Sequence, residues 1–219
     1  MRSPVLLLAL SLSTMAAPPA APYAIDDAKE PTALVAVGLR EEVYGDALRA
    51  WKRATERKKT SSSILTVIDY SRPSDERRMW VVDLAAERLL FHEYVSHGKN
   101  SGWGGMTSWS NVAESRQSSI GVSLTAETYY GKHGLSLRMD GLEKGYNERN
   151  RERDIVIHGA KYVGATFARE HGRVGNSWGC PAVDVAVSKE MIQRMKEGTV
   201  LVAWYPDARW RRESVYVKP

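Results

Sequence analysis

The spacing of apolar residues changes character near residue 60. Between Arg40 and Lys59, Val43, Ala47, Trp51 and Ala54 recur at steps of four, four and three, while Arg49, Lys52 and Glu56 take the opposite side. That spacing predicts an amphipathic helix over about residues 40–58, with one buried and one solvated face. From Ser63 onward the apolar runs are short, β-branched and aromatic: Ile64 to Ile68, Trp80 to Leu84, Leu89 to Val95, Ser119 to Leu124, Leu135 to Met139, Ile155 to His158 and Thr199 to Trp204. Each predicts a strand, and the four residues from Ala85 to Arg88 join the second and third as a hairpin. Short strands without long helices between them predict a mainly β fold, an antiparallel sandwich or barrel with a few peripheral helices, rather than a parallel sheet covered on both faces. A second helix is expected at about 188–197. There Ser188 stands as N-cap, Glu190 in the first turn, Met191, Ile192 and Met195 on one side, and Gly198 just past the end.

Ahead of the first helix the pattern differs. Arg2 precedes an apolar run from Val5 to Leu12, followed by Ser13-Thr14-Met15-Ala16-Ala17. These are the three parts of a secretory signal peptide, and the run is too short to span a bilayer. Residues 16–32 are rich in Ala and Pro and read as a linker. The resulting organisation is a signal peptide at 1–20, linker and N-terminal helix at 21–60, the main domain at 61–206 and a C-terminal tail at 207–219. Export to the periplasm or cell envelope is expected, with no integral membrane segment in the mature chain.

Composition changes this picture little. The 219 residues are 43% hydrophobic and 26% charged, enough for one real core. The net charge is +5, but lysines and arginines are scattered among acids, which excludes the basic stripe of a nucleic-acid-binding protein. Residues 96–118 form a long polar stretch with Gly98, Gly102, Gly104, Gly105, Trp103 and Trp109. A loop of that length in a compact domain is usually functional, and it is expected to border a cleft with a tryptophan over the substrate.

The candidate chemistry lies between Ile155 and Val183. Ile155-Val156-Ile157-His158-Gly159 delivers a histidine, and the chain returns through Gly172-Arg173 and Asn176-Ser177-Trp178-Gly179-Cys180-Pro181-Ala182-Val183. Cys180 is the one cysteine of the sequence and follows His158 by 22 positions. A single cysteine forms no internal disulfide, and in an oxidising compartment an idle thiol is a liability, which favours a working one. Its surroundings are polar and glycine-rich rather than those of a core run. Gly179 permits close backbone approach and Pro181 fixes the chain after it. An adjacent imidazole takes the thiol proton, so the Cys180 pKa is expected well below the roughly 8.5 of free cysteine. His158 is preferred over His171 as that base because a strand end holds it rigidly. His97, His133, His158 and His171 with Cys180 follow no zinc-ligand spacing, so no metal and no cofactor are expected. His133 reads as a residue of the cleft wall or of a turn.

His158-Gly159 followed by Ser177-Trp178-Gly179-Cys180 resembles the signature of the YkuD-type L,D-transpeptidases. Gly172-Arg173 ahead of it and Cys180-Pro181-Ala182 within it resemble the murein L,D-transpeptidase catalytic-domain branch. The likeness extends to Ile68-Asp69-Tyr70-Ser71, to His97-Gly98-Lys99-Asn100-Ser101-Gly102 and to Gly131-Lys132-His133-Gly134-Leu135-Ser136-Leu137, and so covers roughly residues 60–205. The sequence departs from the commoner pattern where Pro181-Ala182-Val183 replaces an Arg or Asn shortly after the cysteine. The resemblance implies a β-sandwich or barrel of the L,D-transpeptidase type and peptidoglycan stem peptides as partner. It implies a Cys180 thioester acyl-enzyme, release of D-alanine and transfer to an amine. His158 is then the base, with the Gly159 carbonyl orienting it and the N–H groups of Gly179 and Cys180 as oxyanion donors. Ser177 holds the turn or meets substrate, and Arg173, Trp178 and His133 contact substrate. Two other readings stay open: an L,D-carboxypeptidase or stem-peptide endopeptidase with water as acceptor, and a non-catalytic wall-binding module.

Overall fold

The computed structural model describes residues 37–219. The signal peptide at 1–20, its cleavage region and most of the linker lie outside the described residues. The chain runs through helix α1 (Glu41–Glu56), strands β1 (Ile64–Asp69), β2 (Met79–Asp83), β3 (Arg88–Glu93), β4 (Gly121–Gly131), β5 (Gly134–Gly141) and β6 (Val156–Ala160), then helix α2 (Ala165–His171), strand β7 (Ala182–Asp184), helix α3 (Val185–Met195), strand β8 (Val200–Trp204) and helix α4 (Ala208–Glu213).

The fold is mainly β, as the short apolar runs predict. Eight strands make one sheet in the order β3-β2-β1-β8-β4-β5-β6-β7. The sheet is mixed rather than wholly antiparallel: β1–β8 and β6–β7 pair in parallel. β6 and β7 are joined through helix α2, the kind of crossover connection that parallel neighbours require, whereas β1 and β8 are separated in sequence by the other six strands. The sheet curls until its ends nearly meet. Ser96, just beyond β3, donates its N–H to the Ala182 carbonyl of β7 at 2.9 Å, and Gly98 forms a parallel bridge with Ser177. The outcome is a nearly closed, barrel-like sheet. Its core includes Leu65, Ile68, Trp80, Val122, Leu137 and Leu201.

Helix α1 covers one side of the core with Val43, Ala47, Ala50 and Ala54. Trp51, expected on the buried face, is only partly buried, and its indole N–H donates to Ser62 O at 2.8 Å. Asp46 is buried instead because it is paired: it accepts from Trp204 Nε1 at 2.8 Å and Arg211 Nε at 2.9 Å. Helix α3 starts earlier than expected. Asp184 is its N-cap, accepting the Ala186 N–H at 2.9 Å, whereas Ser188 lies inside the helix and bonds back to Val185 O at 3.0 Å.

Helices are not confined to 40–58 and 188–197, since α2 and α4 add two short ones. The residues after 206 are part of the packed domain. Trp210 is fully buried, and Glu143, at the start of the loop after β5, accepts from its Nε1 at 3.0 Å, from Val122 N at 2.6 Å and from Ser214 Oγ. Burial raises the Glu143 pKa, opposed by those donors. Ser214 Oγ also accepts from Tyr216 N at 3.1 Å and Val217 N at 3.2 Å, so one hydroxyl organises the C-terminal turn. Ser214→Ala is expected to lower stability by about 1–3 kcal/mol, the range for orphaning buried hydrogen-bond partners. Urea denaturation measures it, and an unchanged midpoint would show that the turn holds without the hydroxyl.

Candidate active site

Strand β6 presents His158 between two neighbours, opposite Ser136 of β5 and Ala182 of β7. Pairing on both sides fixes its backbone, and the residue is 2% exposed. Its Nδ1 lies 3.0 Å from Gly159 O. A carbonyl only accepts, so Nδ1 carries the proton and Nε2 is the unprotonated nitrogen. The ring stacks on His133 with centroids 4.1 Å apart and planes at 17°. Burial lowers the His158 pKa; the Gly159 carbonyl opposes this, and the charges of His133 and Lys132 add to it. The imidazole is therefore neutral at neutral pH.

The turn that carries Cys180 is built around a hydroxyl. Ser177 Oγ accepts the Gly179 N–H at 3.1 Å and donates to Cys180 O at 2.6 Å. The Ser177 backbone is held by the strand-like segment 96–99: its N–H donates to His97 O at 3.0 Å, and its carbonyl accepts from Lys99 N at 2.9 Å. Gly179 has φ +128°, and a Cβ there would lie 2.8 Å from Gln117 O. Only glycine fits that conformation and that approach.

The thiol points back toward the start of β6, with Sγ 3.5 Å from Asp154 O. Burial pushes its pKa up; the Val156 N–H pulls it down, Asp154 pushes it up, and Lys132 and Arg153 pull it down. The net direction is upward, so the resting group is a protonated thiol, contrary to the thiolate expected from the motif. The reason is that the turn packs Cys180 against the sheet, and desolvation outweighs the nearby cations.

His133, His158, Ser177, Trp178 and Cys180 line one open cleft of about 800 Å³. Three other candidates from the sequence stand apart from its lining. Gly159 sits behind His158, where a Cβ would meet Ser188 Oγ at 2.6 Å. Gly179 has its N–H occupied by Ser177, which removes it as an oxyanion donor; among the described residues the Cys180 N–H has no such partner. Arg173 donates to Val174 O at 3.0 Å and Asn176 Oδ1 at 3.2 Å, and its guanidinium stacks over Trp103 at 3.7 Å. No tryptophan of the 96–118 loop covers the cleft: Trp103 is turned to Arg173, and Trp109 donates to Asp207 at 3.0 Å. The cleft tryptophan is Trp178, 63% exposed. His171 ends helix α2 rather than lying in a loop, stacks on Phe167 and bonds Phe167 O at 3.0 Å.

The sequence reading missed Lys132, Arg153, Asp154 and Tyr162, which also line the cleft. Lys132 stood in plain view in Gly131-Lys132-His133-Gly134, where the Gly131–Gly134 pair closes the β4–β5 hairpin. Arg153 carried no signal. Its guanidinium spans the loop after residue 109, donating to Ser110 O at 2.7 Å, Gln117 O at 2.7 Å and Ser115 Oγ at 3.1 Å.

Solved structures similar to this chain include Bd1075 from Bdellovibrio bacteriovorus, at TM-score 0.41 and 16% identity, covering 65% of this chain and 48% of that one. The chain thus spans about half the length of that protein. The L,D-transpeptidase from Xylanimonas cellulosilytica matches at TM-score 0.36 and 15% identity, over 70% of this chain and 68% of that one. No curated protein sequence matches. The YkuD_2 family, the L,D-transpeptidase catalytic domain, matches residues 36–204, and the chain belongs to that family.

Proposed function

We propose that this chain is a cysteine-dependent L,D-transpeptidase acting on peptidoglycan stem peptides. Cys180 Sγ attacks the carbonyl at the L-centre of a diamino acid that is followed by D-alanine, and the thiol proton passes to His158 Nε2. The S–C bond forms, the C–N bond to D-alanine breaks, and His158 returns the proton to the departing amine. The thioester is then attacked by an amine of a second stem, which loses its proton to His158. The C–S bond breaks and the thiol recovers that proton. Burial raises the Cys180 pKa and lowers that of His158, so the resting pair is a thiol beside a neutral imidazole able to accept its proton. The Cys180 N–H is the oxyanion donor, a role typically worth about 2.7–4 kcal/mol.

The observation that carries this reading is the Gly159 carbonyl on His158 Nδ1, in the same cleft as the one thiol of the chain. It supports His158 as base. Three of the other four histidines are employed elsewhere: His97 bonds Arg78 and Gly102 O, His92 stacks on Trp80, and His171 stacks on Phe167; the fourth, His133, shares the cleft but stacks on the His158 ring. Membership of an L,D-transpeptidase family supports peptidoglycan as substrate, and with it a working place in the cell envelope.

Intact-mass measurement after incubation with a D-alanine-terminated stem tetrapeptide tests the reading. A tripeptidyl adduct on Cys180 is expected, with D-alanine released and a cross-linked product once an amine acceptor is added. Release of tripeptide acid alone, with acceptor present, would replace transfer by hydrolysis. No adduct and no D-alanine would overturn the proposal.

A further inference from the structure

The proposed donor peptide ends in a carboxylate only a few bonds from the scissile amide, and the segment after the nucleophile offers nothing to hold it. Pro181, Ala182 and Val183 are all buried, with Ala182 and Val183 at 0% exposure. The partner must come from elsewhere on the cleft wall. Three cations line that cleft, Lys132, Arg138 and Arg153, while Arg116, outside the lining, is stacked on the Trp178 ring at 4.5 Å.

Two of them are committed. Arg153 is spread over the loop oxygens of Ser110, Ser115 and Gln117 and the hydroxyl of Ser119. Arg138 pairs with Glu127 at 3.4 Å and Asp154 at 3.3 Å and lies over the Tyr129 ring at 4.5 Å. Lys132 has no ion pair and no side-chain hydrogen bond among the described residues. It sits exposed at the tip of the β4–β5 hairpin, with Nζ 5.8 Å from the centre of the Trp178 ring, two residues before the nucleophile. Its neighbour in the same two-residue turn, His133, stacks on His158. The tip therefore spans the site, one residue resting on the base and the other facing the tryptophan beside the nucleophile. The acids of the cleft, Asp154 and Glu114, do not neutralise Lys132: Asp154 is held by Arg138, and Glu114 makes no ion pair among the described residues.

The geometry points to Lys132 as the residue that binds the free C-terminal carboxylate of the donor peptide, with Trp178 as the apolar wall beside it. The assignment rests on the stem-peptide reaction proposed above. An ammonium on a flexible stem suits a carboxylate that departs with the leaving group, since the contact needs charge but no fixed fork. It would select donors ending in a free D-amino acid over donors already extended or amidated there.

The test uses the full chain carrying Cys180→Ala, so that binding is read without turnover. Calorimetry compares a D-alanine-terminated stem tetrapeptide with its C-terminal carboxamide. Lys132→Gln should weaken binding of the acid about tenfold and of the amide less than about twofold, as expected for one charge-assisted contact. Lys132→Arg should recover the acid to within about threefold. Equal weakening of acid and amide, or none of either, overturns the assignment while leaving the catalytic reading intact. Failure of both peptides to bind the chain with Lys132 intact removes the stem-peptide reading and this assignment together.

Discussion

Cys180→Ala is expected to abolish D-alanine release from a stem tetrapeptide, by at least about 10⁴-fold, the scale seen when a nucleophile that acts as part of a unit is removed. The effect should be this large because the sequence holds no second cysteine to substitute. Cys180→Ser should be nearly as inactive, since a hydroxyl in a site shaped for sulfur is a far weaker nucleophile. His158→Ala should cost about 10²–10⁴-fold, the range for a positioned general base. His171→Ala should leave the rate close to wild type, because that ring is occupied with Phe167 on helix α2. The pH dependence follows from the two shifts. The base must be neutral, and burial lowers the His158 pKa, so activity should fall on the acid side only below the ordinary histidine value of about 6.5. Burial raises the Cys180 pKa, so alkylation of the free enzyme by iodoacetamide should be slow at neutral pH and rise in alkali. Fast alkylation at pH 7 would show a preformed thiolate instead. Full turnover in Cys180→Ala would end the catalytic reading.

The strands of this fold were legible because a short buried strand favours β-branched and aromatic side chains, which make up most of β1, β2 and β8, while β3 shows only the apolar run Leu89-Leu90-Phe91. Helix α1 was legible from its period. Strand β7 was not: three residues after a proline carry no period, and its pairing depends on His158, Gly159 and Ala160 already being in place. Helix α2 was hidden for the same reason, seven residues in a polar loop. At the site, the meeting of His158 and Cys180 in one cleft could be read because both stand in a motif with an isolated reactive side chain. What the motif could not convey was direction. Gly179 N–H turns inward to Ser177, and the thiol turns to Asp154 O, and both depend on where residues 96–101 and 115–118 pack against the turn. Those segments are far from Cys180 in sequence, so no local pattern reports them. Arg78 is the extreme case, an arginine in Glu76-Arg77-Arg78 that reads as surface charge.

Arg78→Met is expected to cost about 3–5 kcal/mol of stability, the scale for breaking a buried charged network. Arg78 is fully buried, and no carboxylate lies within ion-pair distance among the described residues. Its charge is solvated by dipoles: Nη2 donates to Val95 O at 2.8 Å and to His97 Nδ1 at 2.8 Å, and Nη1 donates to Arg72 O at 2.8 Å. The Tyr70 ring lies 5.3 Å from the guanidinium carbon. Burial lowers the Arg78 pKa to about 10, which still leaves it charged at neutral pH. Methionine fills a similar volume but strands two carbonyls and a ring nitrogen without donors. The consequence reaches the turn that carries Cys180, because the donor on His97 Nδ1 fixes the tautomer whose Nε2–H bonds Gly102 O at 3.0 Å, while the His97 carbonyl holds Ser177 N at 3.0 Å. The catalytic turn should therefore loosen, and kcat should fall together with stability. The same network sets an acid limit. Burial, with the Arg78 charge second, lowers the His97 pKa to about 4 against an ordinary 6.5, so the folded state rejects a proton that the unfolded chain accepts. That contribution to stability is complete above pH 6.5 and is lost as pH falls through about 4, on the order of 3 kcal/mol at most. Urea denaturation of wild type at pH 7 and pH 5, and of Arg78→Met at pH 7, measures both effects. An Arg78→Met protein within about 1 kcal/mol of wild type would show that the buried guanidinium is dispensable to the turn that carries Cys180.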